Sequence, residues 1–202
     1  MNAIEDYQGI LDFWFGRSES LAVILDKQAS LWWGKDPHVD REIRERFVDR
    51  LDSLIDGKLN EWRSLPESYL AMIILADQFS RNIYRDSASA FAQDELALSL
   101  TLDGIENGID LKLNVVQRVF FYLPFEHSES MAIQDRSVEL QKQVLDDAPD
   151  NLQDQFQGFY NYALLHREVI EKYGRYPHRN NLLGRECTPE EIDYLNQPGS
   201  GF

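Results

Sequence analysis

Cysteine is nearly missing from this chain. The one residue, Cys187, excludes an intrachain disulfide and any metal cluster built on several thiolates. Long apolar runs are missing as well, and none reaches the roughly 18 residues that a membrane-spanning helix needs. The first residues, MNAIEDYQG, have neither the basic nor the apolar region of a signal peptide, so a cytoplasmic protein is expected. Positive charge is scarce: 20 Lys and Arg stand against 35 Asp and Glu, for a net charge of −15. A surface of that sign repels nucleic acid and anionic membranes, and neither is expected as a partner. Sustained two-residue alternation is absent, which argues against a sheet. No fixed-period repeat is found, and the tetratricopeptide signature is lacking.

What is present is ample core material: 4 Trp, 11 Phe and 9 Tyr in 202 residues. A chain of this length buries roughly 70% of its unfolded surface, and a single domain over 1–202 is expected. Helical spacing recurs throughout. Ile4, Tyr7, Leu11, Trp14 and Phe15 mark a helix over 3–15, with Asn2 and Glu5 as a capping box and Gly16 as a stop. A second helix covers LAVILDKQASLWW. Asp36-Pro37 opens a third, with Ile43, Phe47, Leu51, Leu54 and Ile55 on one face and Gly57 at its end. Trp62 falls in a short turn, and Pro66 restarts the chain. Residues 88–107 read as a helix, or a short one and a long one. Residues 114–123 are apolar enough to be central, Pro124 interrupts them, and a polar helix follows over 129–146. The last long helix is 151–173, closed by Gly174, and Thr188-Pro189-Glu190-Glu191 caps a short final one. The fold class is all-α, antiparallel helices joined by short loops.

Two stretches stand apart from this apolar patterning. In LAMIILADQFSRNIYR (70–85), Leu70, Ile73, Ile74 and Asp77 share one helix face, so Asp77 points inward and needs a cationic or hydrogen-bonding partner. Arg81, Asn82 and Arg85 follow it. In YGRYPHRNNLLGR (173–185), Arg175, His178, Arg179, Asn180 and Arg185 accumulate, and from Lys172 to Arg185 there is no acidic residue. The two stretches are expected to meet around one polar, basic centre. Guanidinium groups gathered there offer paired donors to a phosphate or carboxylate; the alternative is that they pin loops and pair with carboxylates such as Asp77. Asn82 and Asn180 suit left-handed positions at helix ends.

A third stretch is Glu126-His127-Ser128-Glu129. An imidazole between carboxylates suits general acid–base work by Glu126, His127 and Glu129. The competing reading has Ser128 capping the next helix with Glu129 in its first turn. His166, alone on an apolar face, reads as a hydrogen-bonded core residue, and Trp14, Phe15, Trp32 and Trp33 read as core. No metal set and no cofactor motif is assigned.

Across these residues the chain resembles a bacterial family, domain-of-unknown-function family 924. The strings that carry the resemblance are ILDFWFG, LADQFSRNIYR, AFAQDELAL, FFYLPFEHSES and KYGRYPHRNNLLGRECTPEEIDYL, in order over nearly the whole chain. The resemblance implies about eight to nine helices in stacked antiparallel hairpins of tetratricopeptide-like arrangement. It brings no activity. The shared positions it implies are Asp77, Gln78, Arg81, Asn82, Arg85, Glu126, His127, Glu129, Arg175, Pro177, Arg179, Asn180, Gly184 and Arg185. The chain departs from the family string at Ser80, where proline is usual, and a looser helix end is expected there. Two functions from different classes follow: a small-anion site, or an interaction scaffold whose acidic surface favours a basic peptide, its polar motifs forming a packing network.

Overall fold

The computed structural model describes residues 7–200. The proposed cap at Asn2 and Glu5 lies outside them. Among the described residues there is no strand, and the elements run α1 (Tyr7–Phe15), α2 (Leu21–Trp33), α3 (Pro37–Ile55), α4 (Pro66–Ile73), α5 (Ser80–Ile83), α6 (Asp94–Glu106), α7 (Val115–Glu126), α8 (Met131–Asp147), α9 (Gln153–Tyr173) and α10 (Pro189–Leu195). A π-helical segment, Ile74–Phe79, joins α4 to α5 without a break. With that run taken as one helix, the described residues hold nine.

Local chemistry sets the ends. Asp36 accepts from the His38 amide at 2.8 Å, and Pro37 occupies the first helical position. Thr188 and Glu191 form the expected reciprocal box at the head of α10. Gly174 takes φ +67° after α9, a left-handed residue that turns the chain back over the ends of α7 and α8. Asn82 and Asn180 are not left-handed: Asn82 is inside α5, Asn180 has φ −56°, and among the described residues the one non-glycine with positive φ is Asp86. Pro124 does not interrupt α7 either. It sits in the last turn, and the helix continues to Glu126.

The long buried run 68–80 is the axis of the molecule, with every residue from Ser68 to Ser80 buried. Against it lie α1, α3, α6 and α7, while α7, α8 and α9 pack in succession. Phe120 anchors the aromatic core, with ring centroids at 4.6 Å from Trp32, 5.4 Å from Phe15 and 5.7 Å from Trp14. Trp33 departs from the core reading: it stacks on Phe120 yet stays 54% exposed. α6 approaches closely at Gly104, where an added Cβ would stand 2.5 Å from the Phe121 ring. No helix among the described residues is long and apolar enough to cross a membrane.

Candidate functional site

The axis helix changes winding where its polar residues begin. Over Ile74–Phe79 the winding is π-helical, and the Ser80 amide donates five residues back, to the Leu75 carbonyl. The inserted residue lets Asp77 and Gln78 face inward from a stretch buried all round; such single π-turns concentrate at functional sites. Ser80 is therefore inside a continuous helix, where its hydroxyl is buried and unmatched, and it does not loosen a helix end.

Asp77 meets His127, delivered by the end of α7. Asp77 Oδ1 lies 2.6 Å from His127 Nδ1, and Oδ2 accepts from Gln78 Nε2 at 2.6 Å. Arg81 Nη2 stands 3.5 Å from the same carboxylate. Burial alone would raise the Asp77 pKa, but the charges of His127 and Arg81 and the hydrogen bonds outweigh it and hold the group ionised. The His127 pKa is lowered, first by burial and then by Arg81, which overcome the pull of Asp77. The pair is accordingly a neutral imidazole whose Nδ1–H donates to a carboxylate, leaving Nε2 as a lone-pair base. The Asp77 side chain is fully enclosed, whereas that of His127 is 16% exposed.

The second stretch arrives from the other side. Arg179 donates from Nη1 to Asp94 Oδ2 at 3.0 Å, and Arg81 Nη2 lies 3.0 Å from Asp94 Oδ1. Asp94, at the start of α6, is thus the hinge between residues nearly a hundred positions apart. The Arg179 guanidinium lies over the rings of Tyr176 and Phe91, at 4.6 and 4.7 Å. Its side chain is 7% exposed, and its Nε is buried with no hydrogen-bond partner. His178 is close by, its pKa pushed down to about 4 by burial and by Arg179 and Arg81.

The remaining candidates do not converge there. Arg85 grips Asp40 on α3 with Nε and Nη2, at 2.6 and 2.7 Å, and Asn82 donates to the same carboxylate. Arg175 grips Glu191 at 2.6 and 2.8 Å, and Asn180 also donates to Glu191. Arg185 holds Glu129 through two bonds of 2.8 and 3.0 Å, and Glu129 also accepts the Tyr176 amide. Ser128 does not cap α8: the cap position is Ser130, whose side chain makes no capping bond, and Ser128 Oγ accepts the Ser130 amide at 3.2 Å. Glu126 is 2% exposed, out of a ligand's reach.

Each arginine of the set therefore has a carboxylate partner. At the centre, Arg81 and Arg179 stand against Asp77 and Asp94, so charge is balanced and the centre is not a basic patch. Sequence reasoning missed Asp94 and Tyr176. Asp94 had one available signal, its place in the string AFAQDELAL; Tyr176 had its place between Arg175 and Arg179. A cleft of about 150 Å³ opens elsewhere, lined by residues such as Leu11, Phe15, Ile24, Asn114 and Gln117, and it includes none of these groups.

Comparison with known proteins gives the same picture of fold without chemistry. The sequence model described as "Bacterial protein of unknown function (DUF924)" matches residues 10–199. A solved structure of a protein of unknown function from Agrobacterium tumefaciens is similar at 34% identity and a TM-score of 0.81, covering 96% of this chain and 99% of that one. No curated protein matches the chain.

Proposed function

The chain belongs to the DUF924 family of bacterial proteins, and we propose that it binds a small phosphate- or carboxylate-bearing molecule beside His127 and Arg179, with His127 as a general base. The observation that carries this reading is the Asp77–His127 pair at 2.6 Å, linked through Arg81 and Asp94 to an arginine with an unmatched Nε. Asp77 fixes the tautomer and Nε2 takes the proton. Arg179, held flat between two rings, is preorganised to present a guanidinium edge to an oxyanion. Burial, with Arg81 beside it, keeps the base neutral at rest. A bound anion offsets Arg81 and Arg179, so the imidazolium that forms on proton abstraction becomes favourable only when the ligand is in place. Access is over the exposed rim of His127, Arg81 and Asp94. In this reading Arg85, Asn82, Arg175, Asn180, Arg185 and Glu129 hold the walls.

The test is thermal denaturation with inorganic phosphate and with succinate, alongside 15N titration of the imidazoles. A ligand should raise the melting temperature of the wild type and raise the His127 pKa; Arg179→Lys, which keeps charge but loses the fork, should abolish both. An unchanged melting temperature with every anion refutes the reading.

The scaffold reading has one observation of its own. Tyr162 and Leu165 on α9 are 58% and 48% exposed, and Trp33 packs against Phe159 of the same helix. It predicts that a basic peptide binds this face and that Leu165→Ser weakens it; calorimetry showing no heat with such a peptide ends it.

A further inference from the structure

Behind the Asp77–His127 pair lies a second carboxylate and imidazole that the reading above leaves without a task. Glu126 and His166 are buried, at 2% and 6% exposure. His166 Nδ1 lies 3.4 Å from Glu126 Oε2, and the His166 ring meets the His127 ring edge-on at 6.3 Å. In water such a pair would be ionised. Here burial, reinforced by the Asp77 charge, pushes Glu126 up to about 8 against the hydrogen bond from Gln141. Burial, and then the neighbouring His127, push His166 down to about 3.

The hydrogen bonding points the same way independently. His166 Nδ1 is aimed at the Tyr162 carbonyl at 2.8 Å, so its proton is already placed. Gln141 offers Nε2 to Glu126 Oε1 at 2.8 Å and leaves its own Oε1 buried and unmatched. The two ends of an amide are alike in shape. Turned end for end, Gln141 accepts from a protonated Glu126, which gives the orphaned oxygen a partner in exchange for the long 3.5 Å bond from Nε2 to the Val119 carbonyl.

We propose that Glu126 and His166 are positioning residues for the base: an inner pair that stays uncharged, so that Asp77 is the carboxylate charge acting directly on His127. The proposal rests on His127 serving as that base. Glu126 is faced by Asp77 from the π-turn, by Gln141 from α8 and by His166 from α9, while the Tyr176 hydroxyl donates to its main-chain carbonyl. Arg81, Arg179 and His178 act on the two imidazoles rather than on Glu126. When Glu126 loses its proton, a second anion appears behind His127 and strengthens its hold on a proton.

The experiment is a pH titration of the full chain by carboxyl 13C and imidazole 15N resonances. The expected result is a Glu126 carboxyl that titrates near pH 8, with the ring nitrogens of His127 and His166 shifting in the same step. Glu126→Gln should remove that step and leave the main His127 titration in place. A Glu126 that titrates in the ordinary carboxylate range overturns the proposal, as do ring nitrogens that stay still while it titrates. Should Glu126→Gln not fold, the wild-type titration decides alone. A neutral His127 found with its proton on Nε2 refutes the base and leaves the inner pair standing.

Discussion

Two sets of arginines in this molecule look alike in sequence and behave differently in space. The outer set, Arg85, Arg175 and Arg185, closes two-pronged grips on Asp40, Glu191 and Glu129. Each grip ties distant segments together, α5 to α3 and the loop after α9 to α10 and to the head of α8. The inner set, Arg81 and Arg179, shares one carboxylate and keeps donors unmatched; in the outer set Arg185 also leaves its Nε unmatched, but its two Nη atoms close on a carboxylate of its own. A guanidinium with a full fork is a fastener. One with an idle edge beside an oriented imidazole can still bind something. Exposure sharpens the contrast: the side chains of Arg85, Arg175 and Arg185 are 24–28% exposed, and that of Arg179 is 7%.

The largest test of the contrast is Asp77→Ala. It strands His127, Gln78 and Arg81 in a buried site and should lower unfolding free energy by about 3–5 kcal/mol, read by chemical denaturation. A loss no larger than that of an outer clamp would erase the distinction. Next is the pH dependence of stability. Glu126 has a folded pKa raised above its ordinary value of 4.5, so its contribution is full below 4.5 and is lost as pH rises toward about 8. His166 and His178 have folded values lowered below 6.5, so the unfolded chain binds protons more readily and stability falls as pH drops below 6.5. Glu126→Gln should therefore flatten the melting-temperature profile between pH 5 and 8 and leave the acid limb alone.

Arg179→Lys should leave the fold nearly intact but weaken anion binding by at least about tenfold, the worth of one charge-assisted bond, as measured by calorimetry. The smallest effect belongs to the outer set. Arg85→Ala should cost about 1 kcal/mol, the scale of a part-exposed bidentate pair, and should leave any anion-induced melting shift unchanged. If Arg85→Ala removed that shift, the outer clamps would belong to the site.

The helices were readable from the sequence because periodicity and caps are local signals: Asp36-Pro37, Thr188 with Glu191, and Gly174 each act within a few residues. Pro124 misled for the same reason, since its effect depends on how much helix remains after it. At the site, the inward Asp77 and the meeting of Arg81 with Arg179 could be inferred from face and composition. That Asp94 joins them could not, because nothing local distinguishes it from other acidic residues at helix starts. The sorting of arginines into fasteners and an open edge also depends on partners up to 85 residues away in sequence. Asn82 and Asn180 were assigned by backbone habit, and side-chain partners on Asp40 and Glu191 overrode it.

The under-wound stretch 74–79 makes the molecule lopsided in the genetic changes it tolerates. Losing one residue there, Ala76 for example, would restore regular helical geometry and spare the main chain any penalty. The Ser80 amide would then reach the Leu75 carbonyl four residues back in place of five, so Arg81 would keep its facing toward Asp94 and Arg85 toward Asp40. A codon lost from the regular turns of α4 would instead swing everything after it by about 100°, dismantling the centre and its nearest clamp together.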